Sequence, residues 1–242
     1  MPVAYVLVHG AFHDAAVWSA VKEKLEHAGH PVTAVSLPGR PGNPVGARKV
    51  TLGAYRDCVL AAIEEWSQPV VLVGHSFGGI TIANVAEAAP DRIRTLVYVG
   101  AYLPRSGDSA RTLAEEDTHS RFGDRNFVIA PDRATARVLK DDAVMLFGED
   151  LDPVLKSRLL ALLVDEPLLP IRTPVELTAD RFGRVDRIYI KTLRDNTISP
   201  ALQDRMLARV GVREIHALDS SHSPYLSCPD ALVELLLRAT AR

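Results

Sequence analysis

Six short apolar segments rich in β-branched residues recur along the chain and limit the folds open to it. They lie at residues 4–8, 32–37, 70–73, 95–99, 187–190 and 213–217. We interpret them as strands. None shows the alternation of apolar and polar residues that is typical of a strand with one face in water. Continuous apolar strands of this length suit a parallel sheet that is covered by helices on both faces.

Helical patterns lie between these segments. An apolar stripe runs along residues 17–28, Thr51 is placed to cap a second helix, and Pro200 and Pro229 stand at first-turn positions of two later ones. Alternation of this kind predicts an α/β fold with a doubly wound, mostly parallel six-stranded sheet and right-handed crossovers.

An insertion interrupts this alternation. Residues 104–183 lack a strong strand signal but contain a leucine stripe at residues 155–163. A chain of 242 residues can bury roughly 70–75% of its unfolded surface in one domain. We therefore predict a core formed by residues 1–103 and 184–242, and a helical cap at residues 104–183 over the carboxyl edge of the sheet, where ligands bind in open α/β folds.

The amino-acid composition limits the classes of partner that this protein is expected to bind. The 28 Lys and Arg against 30 Asp and Glu give a net charge of −2, and no block of five like charges occurs, so neither nucleic acid nor a membrane is an expected partner. Two cysteines, Cys58 and Cys228, are too few for a disulfide scaffold. The apolar run at residues 6–8 is too short for a signal segment, which predicts a cytoplasmic protein. The sequence leaves the oligomeric state open, and a homodimer is one possibility.

A nucleophile candidate lies in Gly74-His75-Ser76-Phe77-Gly78. An apolar strand precedes the segment and a helical pattern follows it. Glycines on both sides of a serine allow the sharp strand-to-helix turn that leaves its hydroxyl exposed. This context predicts Ser76 as a nucleophile, which then requires a base and a group that orients the base.

The base is expected after the last strand, since serine, acid and histidine follow in that order in sheets with such a turn. Of eight histidines, His222 lies there, directly after the strand that ends at residue 217. His216 lies inside that strand and His119 lies in the insertion, so both are weaker candidates.

The acid is expected in the loop after the preceding strand, where residues 193–196 place Asp195. Asp219 is the reserve, although it is close to His222 in sequence. Asp180, near the end of the insertion, is a third candidate, and Asp186 precedes its strand and belongs to the opposite edge.

An oxyanion hole is expected from the segment at residues 9–13, which follows the first strand at the same edge as the serine. The backbone amides of Ala11 and Phe77 are the candidate donors. His9 and His13 are four residues apart, but they flank a turn and have no nearby carboxylate or cysteine, so no metal is predicted.

These segments together resemble the α/β-hydrolase superfamily, and within it the plant methylesterase and hydroxynitrile lyase family with its bacterial esterase relatives. The likeness spans residues 3–240 and is most specific at residues 181–190. The motifs that carry it are His-Gly-Ala-Phe-His at residues 9–13, Gly-His-Ser-Phe-Gly-Gly at 74–79, Arg-Asp-Asn at 194–196 and Ser-His at 221–222. The resemblance implies Ser76, Asp195 and His222 as a catalytic triad, with Ala11 and Phe77 as oxyanion donors.

Two positions separate the lyases of this family from its esterases. The lyases have a threonine where this chain has Gly10, and a lysine where it has Ser223. Related enzymes with an aspartate nucleophile are disfavoured by Ser76. The resemblance therefore implies an esterase.

We predict a serine carboxylester hydrolase that cleaves a small, mostly apolar methyl ester, aryl ester or lactone through an acyl-enzyme, without cofactor or metal. A hydroxynitrile lyase, a cofactor-free perhydrolase and a ligand receptor with vestigial turnover are the alternatives. The plant enzymes commonly have cysteine where this chain has Phe12, so the pocket is expected to differ from theirs. Its candidate walls are Phe12, Tyr102, Leu103, Leu146 and Phe147.

Overall fold

The computed structural model describes residues 2–240, so Met1, Ala241 and Arg242 at the ends of the predicted core lie outside the described residues. Within that range the strands are β1 (Tyr5–Val8), β2 (Val32–Val35), β3 (Val70–His75), β4 (Ile93–Val99), β5 (Phe127–Ile129), β6 (Thr135–Val138), β7 (Glu166–Pro167), β8 (Arg187–Thr192) and β9 (Glu214–Leu218). The α-helices are α1 (Ser19–His27), α2 (Leu52–Glu64), α3 (Gly78–Ala88), α4 (Ala110–Glu115), α5 (Lys140–Phe147), α6 (Pro153–Ala161), α7 (Leu168–Arg172), α8 (Pro200–Arg209), α9 (Pro224–Ser227) and α10 (Pro229–Thr240).

The main sheet has six strands in the order β2-β1-β3-β4-β8-β9, and all neighbouring strands pair in parallel. Side chains of each central strand alternate between two buried clusters: Tyr5 and Leu7 face one, Val6 and Val8 the other. Helices α1 and α10 cover the first face, and α2, α3 and α8 cover the second. The predicted doubly wound parallel sheet is confirmed.

One strand differs from the sequence interpretation. Strand β9 lies at the edge of the sheet, and its side chains alternate in exposure, with Ile215 at 54%. An edge strand has only one neighbour and incomplete cover, so its exposure follows the period of two. Its position is as predicted, but it is not buried on both faces.

The insertion between β4 and β8 is not purely helical. Besides α4, α5, α6 and α7 it contains a small antiparallel sheet in the order β5-β6-β7, which no pattern in the sequence predicted. These strands have only two to four residues each, too short for a periodic apolar pattern. The division at residues 104 and 183 stays a prediction. None of the helices in residues 2–240 combines the length and apolar character needed to cross a membrane.

Candidate active site

Ser76 lies at the sharp turn between β3 and α3. Its φ is +53°, its backbone N–H donates to the Val99 carbonyl at 3.3 Å, and the residue is 7% exposed. A Cβ at Gly74 would come within 2.8 Å of the Gly78 carbonyl oxygen, and one at Gly78 equally close to the Val8 carbonyl oxygen. Both flanking glycines are therefore required by the backbone itself, which is the reason for their spacing in the sequence.

His222 lies in the loop between β9 and α9 and contacts both other members of the predicted triad. The Ser76 hydroxyl donates to Nε2 at 3.0 Å, and Nδ1 donates to Asp195 Oδ2 at 2.7 Å. Because a carboxylate only accepts, the proton of the neutral imidazole is on Nδ1, and Nε2 is the acceptor for the serine proton. The arrangement can therefore take up a proton from Ser76.

Asp195 lies in the loop after β8, and its buried carboxylate accepts three further hydrogen bonds. The Thr192 hydroxyl donates to Oδ2 at 2.7 Å, and the amides of Thr197 and Ile198 donate to Oδ1 at 2.8 and 2.9 Å. Donors on both oxygens fix the plane of the carboxylate. The side chain that orients His222 therefore has a single geometry.

The other candidate acids and bases lie elsewhere. Asp219 forms an exposed ion pair with Arg194, and Asp186 pairs with Arg213 at the amino edge. His216 contacts Glu214 at 3.2 Å. Asp180 and His119 are exposed. The structure brings none of them to Ser76.

The amides of Ala11 and Phe77, the predicted oxyanion donors, have no hydrogen-bond acceptor among residues 2–240, and both residues line the cavity above Ser76. The neighbouring carbonyls are occupied. Nδ1–H of His9 donates to the Gly10 oxygen at 2.8 Å, and Nδ1–H of His13 donates to the Ala11 oxygen at 2.9 Å. The Ala11 and Phe77 N–H groups are therefore available to a ligand, whereas the Gly10 and Ala11 carbonyls are satisfied by the two histidine rings.

Three buried histidines near the site are held in the neutral state. Burial lowers the pKa of His13 to about 4 and that of His9 well below its ordinary value, with a further contribution from the Arg40 charge at His9. His75 donates from Nε2 to the His222 carbonyl at 2.7 Å. Burial and the neighbouring His222 lower its pKa as well. Within residues 2–240, no group of three or more potential ligands is arranged for a metal ion.

These histidines predict an acid-sensitive fold. In the unfolded chain they take up protons near pH 6.5, whereas in the folded chain they stay neutral to lower pH. The unfolded state then binds more protons, so stability is complete above about pH 6.5 and falls by up to about 1.4 kcal/mol per pH unit for each histidine as the pH decreases. We expect a lower urea midpoint at pH 5 than at pH 7.5, with an unchanged m-value.

Two variants test this origin of the pH dependence. The variant His13→Gln should weaken it, and His119→Gln, an exposed control, should leave it unchanged. A urea midpoint that is the same at both pH values would contradict the assignment of neutral buried histidines.

A cavity of about 540 Å³ lies above Ser76. Of the five candidate wall residues, Phe12, Tyr102 and Phe147 line this cavity, but Leu103 and Leu146 do not. Both leucines are buried in the apolar clusters on either side of the sheet. The prediction of these two as pocket walls is therefore wrong.

The insertion supplies the walls that sequence reasoning missed. Its large apolar side chains at the cavity include Phe122, Phe127, Leu168 and Ile171, and charged side chains also line it, namely Arg111, Glu115, Asp124, Arg133 and Arg172. The rings of Phe122 and Phe127 also pack against Phe12, with centroids 6.0 and 6.1 Å apart. Their segments are short and irregular, so no pattern in the sequence indicated which side chains face the cavity.

Gly10 and Ser223 are the positions at which the resemblance distinguishes lyases from esterases. Gly10 has no room for the threonine of the lyases, and Ser223 does not face the cavity where their lysine would act. A Cβ at Gly10 would lie 2.8 Å from the Ser76 Cβ and 3.1 Å from His75 Nδ1. Ser223 is fully buried and its hydroxyl donates to the Tyr225 oxygen at 3.1 Å. A side chain at the first position would require the backbone to shift, and the second position is not part of the cavity lining.

Comparison with known proteins supports one class, the carboxylesterase-type α/β hydrolases. A model described as the alpha/beta hydrolase family matches residues 5–235, and the chain belongs to this family. Methylesterase 7 of Arabidopsis thaliana is 30% identical over 246 residues, which cover 96% of this chain and 94% of that protein. Methylesterase 17 of the same plant is 27% identical over 253 residues, covering 98% and 91%.

A solved structure shows the same fold. A crystal structure of a polyneuridine aldehyde esterase variant matches with a TM-score of 0.88, covering 99% of this chain and 100% of that one at 23% identity. The predicted resemblance to plant methylesterases and their relatives is confirmed, whereas a cytoplasmic location stays a prediction.

Proposed function

We propose that the protein is a serine carboxylester hydrolase for a small, mostly apolar ester, such as a methyl ester, an aryl ester or a lactone. Ser76 Oγ attacks the ester carbonyl while His222 Nε2 accepts its proton, and Asp195 stabilises the resulting imidazolium. The Ala11 and Phe77 amides hold the negative oxygen of the tetrahedral intermediate.

The intermediate then loses its alcohol. The C–O bond to the leaving group breaks, and His222 returns the proton to the departing oxygen. Water, deprotonated by His222, attacks the acyl carbonyl, and the acid leaves as Ser76 regains its proton. These reaction steps need only the side chains and amides named here, together with water.

One observation carries the proposal: the unbroken hydrogen-bonded chain from Ser76 through His222 to Asp195, with distances of 3.0 and 2.7 Å, opens onto a cavity. A base within hydrogen-bond reach of a serine hydroxyl, itself oriented by a carboxylate, is the arrangement that activates serine as a nucleophile.

The cavity walls support an apolar substrate. Phe12, Phe77 and Tyr102 from the core and Phe122 and Phe147 from the insertion surround the approach to Ser76. A volume of about 540 Å³ is within the range of small-molecule sites, roughly 300–1,000 Å³. The relatives named as methylesterases favour a methyl ester among the candidates.

A hydrolysis screen tests the proposal. Methyl, acetyl, aryl and lactone substrates are compared with Ser76→Ala as the blank, and steady hydrolysis of at least one by the unmodified protein is expected. A single burst of product without turnover would favour a ligand receptor instead. Hydrolysis that persists in the blank would rule out Ser76 as the nucleophile.

The lyase alternative gives a separate prediction, which is that mandelonitrile releases no cyanide above the buffer rate. A developing cyanide charge that is left unpaired in a dry pocket costs several kcal/mol. Among the described residues, the cations Arg111, Arg133 and Arg172 line the cavity, of which Arg111 pairs with Glu115 at 2.7 Å and Arg133 is exposed to solvent. Arg137 and Lys140 are not part of its lining. The prediction therefore rests on Gly10 and Ser223, the positions at which the resemblance places a threonine and a lysine in the lyases. Cyanide release that disappears in Ser76→Ala would move the chain to the lyases.

A further inference from the structure

Phe12, the residue after Ala11, has a backbone conformation that a phenylalanine rarely adopts. Its φ is +62°, in the left-handed region where Cβ crowds the backbone. Such conformations persist only where surrounding groups hold them, and they cluster at functional sites. The groups that hold Phe12 therefore decide the shape of the loop that carries the Ala11 amide.

Both backbone polar groups of Phe12 are bound by one segment of the insertion. Its N–H donates to Glu166 Oε2 at 2.9 Å, and its carbonyl accepts from the Val164 N–H at 2.8 Å. Glu166 is 154 residues away in sequence. The insertion thus clamps the loop beside the nucleophile.

The carboxylate of Glu166 is itself immobilised. Arg40 Nη2 donates to Oε2 at 2.5 Å and the Tyr55 hydroxyl donates to Oε1 at 3.0 Å, and the side chains of Arg40 and Glu166 are fully buried. Arg40 Nε also donates to the His13 carbonyl at 2.8 Å. One buried ion pair therefore binds the loop at two successive residues.

The contacts of Glu166 and Val164 with Phe12, which we call the clamp, determine the direction in which the peptide groups of the loop point. The peptide between Ala11 and Phe12 has its N–H on Glu166 and its carbonyl on His13. If that acceptor were lost, Phe12 could relax toward negative φ by rotating this peptide, which would take the Ala11 carbonyl away from His13. The adjoining Gly10–Ala11 peptide, whose N–H is the candidate oxyanion donor, would then no longer be held in place. Oxyanion stabilisation depends on donors at about 2.7–3.1 Å from the oxygen, so a small rotation has a large effect on rate.

We propose that Glu166, held by Arg40 and Tyr55, is a positioning residue that sets the oxyanion hole through the Phe12 amide. The inference rests on the proposed function, since it assigns Glu166 to the acyl-transfer reaction of that site. A buried ion pair is a weak source of net stability, and apolar residues of similar volume often replace one without loss. Stability alone therefore does not account for this pair.

Two double variants isolate the acceptor for the Phe12 amide. Arg40→Met with Glu166→Leu removes both charges and leaves the amide without an acceptor, whereas Arg40→Met with Glu166→Gln removes the same charges and keeps a side-chain oxygen there. For the leucine variant we expect kcat to fall by about 30-fold or more with KM changed less than about threefold, because transition-state stabilisation is lost. The glutamine variant should recover at least about tenfold of that loss.

A trifluoromethyl ketone that adds to Ser76 gives a second reading, since its oxygen occupies the hole as the transition state does. Its inhibition constant should rise in the leucine variant in parallel with the loss in kcat. A folded leucine variant with wild-type kcat would overturn the proposal, and so would a glutamine variant as slow as the leucine one.

If the leucine variant does not fold, Glu166→Asp carries the test. Its carboxylate is one methylene too short to reach Arg40 and the Phe12 amide together, so kcat should fall by about tenfold, and a change within twofold would refute the role. Arg48→Ala is the matched control, because Arg48 pairs with Asp132 of the insertion at 3.6 Å, exposed to solvent and away from Phe12. Its kcat should be unchanged.

Failure of the proposed function is distinguishable from failure of this inference. An unmodified protein that hydrolyses no ester would refute the function. The contact between Glu166 and the Phe12 amide is then tested by measuring amide hydrogen exchange in residues 9–14. Exchange there should be faster in the leucine variant than in the glutamine variant. Equal exchange in the two would refute the clamp.

Discussion

Replacing Ser76 or His222 by alanine is expected to lower kcat for ester hydrolysis by about 10⁴-fold or more, and the two losses should be nearly equal. The serine hydroxyl and the imidazole act as one unit, because the 3.0 Å contact between Oγ and Nε2 is useful only while both partners are present. A nucleophile without a base, or a base without a nucleophile, leaves only binding and the oxyanion donors to accelerate the reaction.

The double variant sharpens this expectation. If the two groups act together, Ser76→Ala with His222→Ala should be no slower than either single variant. Circular dichroism and melting temperature should match the unmodified protein, since each substitution leaves the surrounding glycines and backbone contacts in place. Turnover within about tenfold of wild type in either single variant would overturn the assignment.

The elements that the sequence predicted best are those that are buried on both faces. Strands β1, β3 and β4 lie in the middle of the sheet between two helical layers, so their apolar runs are continuous and easily recognised. Strand β9 lies at the edge and alternates in exposure. Strands of two to four residues in the insertion have no period to detect.

The triad candidates were predictable because topology fixes where they stand along the chain. Parallel strands end at the same edge, so Ser76 after β3, Asp195 after β8 and His222 after β9 meet at that edge although the first and last are 146 residues apart. Chain order therefore carried three-dimensional information. Chain order favoured Asp195 over Asp219 as the acid, although Asp219 is the one that lies close to His222 in sequence.

The pocket and the clamp were not predictable for the opposite reason. Whether Leu146 faces the cavity or the core depends on the rotation of α5, and the structure turns it into the apolar cluster. Glu166 lies in a two-residue strand, and its partners Arg40 and Tyr55 come from the core. A single glutamate in an irregular segment gives no sign of a contact with an amide 154 residues earlier.

Substituting asparagine for Asp195 is expected to lower kcat by about 10³–10⁴-fold while the fold stays intact. The reason lies in how the carboxylate is held. Its Oδ1 accepts from the Thr197 and Ile198 amides, and only the oxygen of an asparagine can take that place. The amide nitrogen must then occupy the position of Oδ2 and direct a proton at His222 Nδ1.

That orientation reverses the imidazole tautomer. His222 would accept at Nδ1 and carry its proton on Nε2, where it faces the Ser76 hydroxyl and can no longer receive the serine proton. Asp219→Asn is the matched control: its carboxylate is 79% exposed and pairs with Arg194, so kcat should stay within about twofold of wild type. Steady-state kinetics on one ester decides between the two residues, and a larger loss in Asp219→Asn than in Asp195→Asn would transfer the role to Asp219.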